Sequence, residues 1–293
     1  MAGPDPIPSP FRKISRDQVL RDPFPYVCIE NFLDDATYRQ LAAGAPPLER
    51  VTGGAKYPDD FKLYWQWSRI LADPDTPVPL RRILESFASL DTFHFLAELF
   101  GPEIAHEYPS LDIAAITNER IGMRGVDTAC DAMLEAQFLM HAPIHGRAGA
   151  ERTAHAKGPD KLFEGALCMR RDEDDAEGGD FRIYRVRPGH RPLFGARGQI
   201  DIRSIEVVRT IPRRRNTFVL WLNTPRSITD LSPRGPSPVP SVYLNFLIQL
   251  PYPLFKLPKA RASLFHLIGH AVRKKLQRHQ FIHNSARVKS LLV

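Results

Sequence analysis

From about residue 106 onward, the sequence breaks into short apolar runs separated by glycine, proline and charged residues. Each run has the length and the apolar pattern of a strand, and strands at this spacing are typical of an antiparallel sandwich or barrel. Seven or eight such strands favour a double-stranded β-helix, a jelly roll of the cupin type. We predict strands near 111–117, 133–141, 164–171, 180–186, 205–211, 217–223 and 242–250.

The first hundred residues predict helices that cover this β core. Residues 24–46 begin with an alternating, strand-like run and continue as a helix. Two more helices are predicted over 79–89 and 91–101, the second with Asp91 as its N-cap. The aromatic side chains in 50–79 stand among proline, glycine and aspartate, which indicates a long loop. The expected class is therefore mostly β with α cover (α+β), with N-terminal helices.

Composition divides the chain into three parts. Residues 1–22 are rich in proline and predict a flexible leader. Residues 23–252 predict a single jelly-roll domain, with helical cover over 23–105 and the β core over 106–252. The remainder, 253–293, predicts a basic, amphipathic C-terminal helix. The longest apolar runs are well short of the roughly 20 residues of a membrane helix, so no transmembrane segment is expected.

The positive charge of the chain is concentrated at its C-terminal end. The net charge is +7, yet residues 253–293 hold nine Lys or Arg and no Asp or Glu. In 260–283, apolar residues form one helical stripe beside a basic face, which fits an anionic membrane surface or a groove on a protein complex. The alternative is a helix that docks on its own domain. The expected contact residues are Arg273, Lys274, Lys275 and Arg278.

Two further features bear on partners and compartment. The basic residues lack interleaved exposed aromatics, which argues against nucleic acid as the partner. The three cysteines are far apart, with neither disulfide nor metal-ligand spacing, which favours a reducing compartment. We therefore expect a cytoplasmic protein, with a peripheral position at the inner face of a membrane as a further option.

Four segments, in this order, carry a resemblance to a known family: "FPYVCIENFLDDATYRQL", "HAKGPDKLFEGALCMRR", "EGGDFRIYR", and "NTFVLWLNTPRSITDLSPR" leading into "SVYLNFLIQL". Over residues 24–250 the chain resembles the iron(II)/2-oxoglutarate dioxygenases, in the branch near prolyl-hydroxylase-like bacterial oxygenases. That resemblance implies a jelly roll in which a histidine, a carboxylate two residues later and a distal histidine hold iron.

At these positions the chain departs from the family pattern. The proximal histidine is His155, but Lys157 stands at the carboxylate position and Thr229 at the distal histidine position. A protonated lysine has no lone pair for a metal, and threonine offers only a weak neutral oxygen. Ser241 lies where the family has a basic residue for 2-oxoglutarate. The resemblance thus implies a degenerate site without catalytic residues, in which His155 is the sole candidate metal ligand.

These observations predict a catalytically degenerate, dioxygenase-like protein that acts as a binding or structural subunit through its basic C-terminal helix. On this interpretation no cofactor is expected. The alternative is an active Fe(II)/2-oxoglutarate-dependent hydroxylase with displaced ligands, for which the chain offers His106, His141, His145 and Asp160. A third interpretation is a jelly roll with no closer relation to the dioxygenases, since fold alone does not fix function.

Overall fold

The structure is a computed structural model and describes residues 8–116, 121–146, 149, 153–195 and 198–259. The α-helices in these ranges are α1 (Asp35–Gly44), α2 (Leu48–Thr52), α3 (Trp67–Ala72), α4 (Val78–Phe87), α5 (Leu90–Leu99) and α6 (Gly101–Glu107). The strands are β1 (Tyr26–Ile29), β2 (Lys62–Trp65), β3 (Ile121–Met123), β4 (Ala132–His141), β5 (His155–Ala156), β6 (Lys161–Cys168), β7 (Phe181–Val186), β8 (Ile205–Ile211), β9 (Phe218–Leu222), β10 (Ile228–Leu231) and β11 (Ser241–Gln249).

The strands form two sheets that face each other. The larger sheet has the order β1-β9-β6-β11-β4-β2, with β3 parallel to β4, and the smaller has the order β5-β10-β7-β8. Strands β4 to β11 pass back and forth between the two sheets. Apart from the consecutive strands β7 and β8, those of them that pair within a sheet are separated in sequence by at least one other strand. This order is that of a double-stranded β-helix. The predicted fold class, a jelly roll of α+β type, is confirmed.

The main core lies between the large sheet and the helices. In α4, Leu80, Ile83, Leu84 and Phe87 are buried at the i, i+3, i+4, i+7 spacing of a single helix face. Every residue of β9 is buried, because one face of the strand packs against this core and the other faces the barrel interior.

The N-terminal residues take part in the same core. Phe11 is completely buried, with ring centroids 5.1 Å from Phe246 and 5.4 Å from Phe218. Residues 8–22 belong to the leader that we predicted to be flexible, yet they contain two 3₁₀ helices, Pro10–Lys13 and Arg16–Gln18. The proline-rich composition therefore gave no indication that Phe11 is buried in the core.

Six of the seven predicted strands occur, and the strand predicted at 111–117 does not. There the Asp112 side chain accepts hydrogen bonds from the backbone N–H groups of Ala114 and Ala115, which favours the 3₁₀ turn Ile113–Ala115 over an extended strand. The loop predicted over 50–79 is also wrong, because it contains the end of α2, all of β2 and α3, and the start of α4. Of its aromatic residues, Tyr64 and Trp65 lie on the edge strand β2, and Trp67 begins α3.

The N-cap of α5 also differs from the prediction. Ser89, not Asp91, caps the helix by accepting a hydrogen bond from the Thr92 N–H. Asp91 lies in the first turn and forms an ion pair with Arg12. This pair helps to hold the N-terminal segment against the helices.

The predicted C-terminal helix, including its four basic contact residues, lies outside the described residues. Of the C-terminal segment, 253–259 is described, and the Phe194 N–H donates to the Pro258 carbonyl at 2.8 Å. Within the described ranges, no helix has the length and apolar character required to cross a bilayer.

Candidate functional site

A cavity of about 510 Å³ lies between the two sheets. Its wall consists of inward-facing side chains of both sheets, because alternate residues of each strand point into a barrel. Strand β5 pairs with β10 in a register that places His155 opposite Thr229. The structure thus brings His155, Lys157 and Thr229 together in the wall of this cavity.

The His155 imidazole is held between a backbone carbonyl and an ammonium group. Its Nδ1 lies 3.1 Å from the Thr153 carbonyl oxygen, and its Nε2 lies 3.1 Å from the Lys157 Nζ. Since a carbonyl only accepts and an ammonium only donates, Nδ1 carries the proton and Nε2 is the acceptor. The positive charge of Lys157, assisted by burial, lowers the pKa of His155 to about 3. The imidazole is therefore neutral, and its Nε2 lone pair faces Lys157.

The carboxylate of Glu164 on β6 is the negatively charged group beside Lys157 and Lys161. Its carboxylate accepts from the Lys161 ammonium at 2.9 Å and lies 3.8 Å from Lys157 Nζ. Burial alone would raise the pKa of Glu164, but the charges of Lys157 and Lys161 outweigh it and lower the pKa to about 2. The Lys157 Nζ also lies 5.7 Å from the centre of the Trp221 ring. These contacts hold the ammonium inside the cavity rather than at its solvent edge.

The residues at the three predicted ligand positions do not fit an Fe(II) ion. Lys157 places a positive charge next to the one imidazole nitrogen that could bind a cation, and it supplies no lone pair when protonated. Thr229 is fully buried, and its Oγ1 has no hydrogen-bond partner among the described residues. Nor do the described parts of the chain contain a group of three or more His, Cys, Asp or Glu that could hold a metal.

The displaced ligands that we considered are not brought together. His141 is buried with its Nδ1 3.3 Å from Asp60, outside the cavity wall. Asp160 accepts from Gln249 at 2.7 Å. His106 and His145 are exposed on other parts of the surface. The structure therefore gives no support to a displaced triad built from these four residues.

At the opposite end of the cavity, an arginine that sequence reasoning missed lies beside Ser241. Arg213 Nη1 is 3.4 Å from the Ser241 Oγ. Its guanidinium is buried in an ion pair with Asp174 and also donates to the carbonyls of Ala176 and Gly178. In the sequence, Arg213 lies in the run "PRRRN" at 212–216, where nothing distinguishes it from Arg214 and Arg215.

One signal in the sequence accompanies this arginine. Gly179 has φ +74°, and a Cβ at this position would lie 2.9 Å from the Arg213 Cδ. Gly179 thus provides the space in which the Arg213 side chain packs. Arg234, the other arginine near Ser241, is buried outside the cavity wall and donates to the Ala142 carbonyl at 2.8 Å.

A second ion pair between an arginine and a carboxylate links two strands of the small sheet. Arg182 on β7 donates two hydrogen bonds to Asp230 on β10, at 2.7 and 2.8 Å, and the Tyr184 hydroxyl donates to the same carboxylate at 2.9 Å. Asp230 directly follows Thr229. Its carboxylate is thus engaged by Arg182 and Tyr184, which hold β10 against β7.

No protein-family model matches the chain, and no curated protein matches it. Solved structures are similar in fold. The α-ketoglutarate-dependent carbocyclase SnoK from nogalamycin biosynthesis shares 11% identity at a TM-score of 0.46, over 91% of this chain and 93% of that chain. A prolyl 4-hydroxylase from Phytophthora capsici shares 13% identity at a TM-score of 0.45, over 92% of this chain and 74% of that chain. A Pseudomonas putida prolyl-4-hydroxylase shares 12% identity at a TM-score of 0.42, over 78% and 93%.

These findings correct one prediction, that no cofactor is expected. SnoK is described as non-heme and α-ketoglutarate dependent, and the other two similar structures are prolyl hydroxylases. This chain has an interior cavity large enough for a small organic cofactor. An expectation of no cofactor is therefore not supported, and the alternative of Fe(II) and 2-oxoglutarate stays open. At this identity the likeness to these three solved structures is one of fold.

Proposed function

We propose that this chain is a catalytically degenerate, dioxygenase-like jelly roll that acts as a binding or structural subunit. The observation that carries the proposal is the 3.1 Å contact between Lys157 Nζ and His155 Nε2. A metal-dependent oxygenase needs that nitrogen and an adjacent carboxylate for its metal. Here an ammonium, itself held near Glu164, lies beside the nitrogen instead.

The contacts of Lys157 stabilise the fold and need no catalysed reaction to account for them. Lys157 places one positive charge among a neutral imidazole, a carboxylate and an indole ring, so the polar groups at this end of the cavity contact one another. A buried charge is tolerated only when it is paired and hydrogen-bonded. The cavity thereby keeps its shape, which a binding subunit requires.

The partner side of this proposal rests on the sequence of the C-terminal segment. Its surplus of positive charge supports contact with a protein complex or with the anionic inner face of a membrane. A cytoplasmic location, at times peripheral to that membrane, is part of the same proposal. If the chain is active after all, its class is that of the Fe(II)/2-oxoglutarate-dependent dioxygenases.

Turnover of 2-oxoglutarate tests the catalytic half of the proposal. The purified full-length chain is supplied with excess Fe(II), ascorbate, oxygen and 2-oxoglutarate, so that the result does not depend on what the protein carries when isolated. We expect no more succinate than protein-free controls produce. Succinate above that background that is lost in His155→Ala would show an active enzyme and contradict the proposal.

A repair variant tests whether the site has been placed correctly. Lys157→Asp combined with Thr229→His removes the ammonium and adds the carboxylate and imidazole of the family pattern. We expect this variant to bind Fe(II) more tightly than the unmodified chain, as measured by anaerobic titration. Equal affinity in the two proteins would mean that any metal binds elsewhere.

A further inference from the structure

The large sheet presents its cavity-facing side chains in three cross-strand rows, because residues paired across neighbouring strands share a face. From one end of the cavity to the other, the rows are Glu164 and Trp221, then Asn245, Ala166 and Val219, then Leu139, Tyr243 and Cys168. In these rows charge is confined to the first, where Glu164 lies near Lys157. Of the three lining residues in the middle row, only Asn245 is polar.

The Asn245 side chain points into the cavity. Its neighbours Leu244 and Phe246 are completely buried in the main core, so the alternation of β11 turns Asn245 to the opposite face. The side chain is partly accessible and lines the cavity, and its amide forms no hydrogen bond with another described residue. An asparagine amide accepts hydrogen bonds at its carbonyl and donates them from its NH₂ group. Asn245 can therefore recognise a ligand group that does both.

The charged side chains that line the cavity already have interaction partners. These partners are Glu164 for Lys157 and Lys161, Asp174 for Arg213, and Arg182 for Asp230. Lys62, which is exposed on the edge strand β2, has an interaction partner as well. A charged ligand would lose its hydration and would have to compete with these partners, which favours an uncharged ligand.

The wall on one side of Asn245 is apolar. Leu139, Cys168 and Tyr243 form a buried cluster with Ala166 and Leu231 packed against it, and all five line the cavity. On the small sheet, Phe181 packs against Trp221 with ring centroids 5.3 Å apart. A ligand with an apolar body would cover this surface and would gain free energy in proportion to the buried area.

We propose that the cavity binds an uncharged carboxamide with an apolar body. The amide group of the ligand donates to the Asn245 carbonyl and accepts from the Asn245 NH₂ group. Its apolar body lies against the cluster of Leu139, Cys168 and Tyr243. This inference rests on the proposed function, since it assigns a ligand to the cavity of a binding subunit.

Equilibrium dialysis with matched probes tests the inference. 2-Naphthamide carries an amide on an apolar body, and 2-naphthoate has the same shape with a carboxylate in its place. With the full-length chain near neutral pH, we expect 2-naphthamide to bind at least about tenfold more tightly, because burial of a carboxylate is costly unless it gains a charged partner. Equal or tighter binding of 2-naphthoate would overturn the inference.

A variant of Asn245 locates the bound amide group. Asn245→Val removes both hydrogen-bonding groups and should weaken 2-naphthamide at least about fivefold, because the amide of the ligand would be buried without its partner. The hydrocarbon 2-isopropylnaphthalene has a similar shape and should bind the variant at least as tightly as the unmodified chain. Thr210→Val is the matched control, because Thr210 is exposed on β8 and does not line the cavity. Equal losses for the amide and the hydrocarbon in Asn245→Val, or an equal loss of the amide in Thr210→Val, would overturn the assignment.

A second variant tests whether the probes enter the cavity. Ala166→Leu fills space beside Asn245 and removes no polar group, so it should weaken 2-naphthamide and 2-isopropylnaphthalene alike. Undiminished binding of both probes would place them elsewhere on the protein, and the inference would be wrong.

The outcomes separate this inference from the proposed function. Absence of succinate production together with absence of 2-naphthamide binding overturns the ligand and leaves the degenerate subunit standing. Succinate production overturns the degenerate subunit whatever the dialysis shows. Binding of 2-naphthamide that depends on Asn245, without succinate production, supports both.

Discussion

At the scale of single residues, the contact between Lys157 and His155 determines the chemistry of the cavity. An imidazole that faces an ammonium at 3.1 Å cannot take up a proton without placing two positive charges side by side. Its pKa is lowered to about 3 for this reason first and by burial second. Near neutral pH the His155 imidazole is therefore neutral, with Nδ1 as hydrogen-bond donor and Nε2 as acceptor.

The lowered pKa of His155 predicts a loss of stability in acid. In the unfolded chain a histidine titrates near 6.5, whereas in the folded chain His155 titrates at about 3. Between these values the unfolded state binds more protons, so the free energy of unfolding should fall as the pH drops from about 6.5 towards 3. The pKa of Glu164 is lowered from 4.5 to about 2, which adds a second loss of stability below about pH 4.5. Urea denaturation at a series of pH values measures both.

Substitutions separate the two contributions. In His155→Gln the loss that begins near pH 6.5 should become smaller, while the loss below about pH 4.5 should remain. His190→Gln is the control, because His190 is exposed and does not line the cavity, so this substitution should not change the contribution of His155. A His155→Gln profile identical to that of the unmodified chain would contradict the position of the imidazole described here.

The Arg213–Asp174 pair predicts a large effect of a single charge removal. Both side chains are almost completely buried, and Arg213→Met would leave the Asp174 carboxylate without this partner. Breaking a buried ion pair in this way costs about 3–5 kcal/mol. The neighbouring Arg214 is 63% exposed in its pair with Glu30, so Arg214→Met should cost under about 1 kcal/mol. Equal effects of the two substitutions on the free energy of unfolding would contradict the burial of Arg213.

At the scale of elements, the length of each apolar pattern determined which strands could be predicted from the sequence. Strands of five or more residues, such as β4, β6, β9 and β11, carry enough apolar periodicity to be recognised. Strand β5 has only the two residues His155 and Ala156 and exists because it pairs with β10. Two residues are too few to form a local sequence pattern that predicts a strand. The alignment of His155 with Thr229 was implied by resemblance, but the contact of the Lys157 ammonium with His155 became apparent only from the side-chain distances.

The hairpin between β6 and β7 predicts a position where only glycine fits. Gly178 has φ +74°, and a Cβ there would lie 2.0 Å from the Pro233 carbonyl oxygen. Gly178→Ala should therefore lower the free energy of unfolding by more than the roughly 1–2 kcal/mol that the left-handed conformation alone costs. Gly189 has a similar φ of +78° with nothing within 4 Å of its added Cβ, so Gly189→Ala should show the conformational cost alone. Comparison by thermal or urea unfolding isolates the steric clash, and an equal loss in both variants would count against it.

At the scale of the whole molecule, the barrel and the helical cover could be predicted from composition and periodicity, but the role of the chain ends could not. Phe11 stands alone among prolines and polar residues, so its burial follows only from the cavity that α4, β9 and β11 leave between them. The basic segment beyond residue 259 stays a prediction from charge and spacing. Its function is best tested by removing it.

Removal of residues 260–293 should leave a folded barrel that no longer binds anionic surfaces. A cut after Lys259 preserves the hydrogen bond between Phe194 and Pro258. We expect the intact chain to float with vesicles that contain phosphatidylserine, and not with neutral phosphatidylcholine vesicles. Flotation should weaken as salt is added, because each basic residue near the surface contributes only about 1 kcal/mol.

The truncated chain provides the contrast. It should remain folded by circular dichroism and stay with the protein-only fraction in the same gradient. Unfolding on truncation would show that the segment braces its own domain. If the intact chain does not bind anionic vesicles even at low salt, a protein complex is the remaining partner in this proposal.

The order of strands in the large sheet has a consequence for biosynthesis. Strand β11 is the last strand in the described chain, yet it lies at the middle of the sheet, between β6 and β4. While the ribosome is still translating the preceding loops, β6 and β4 each have an unsatisfied edge, and Phe11 lacks the ring of Phe246. The nascent chain thus cannot close its barrel until β11 has been made. Chaperones that cover exposed strand edges should therefore hold the nascent chain until β11 has left the ribosome.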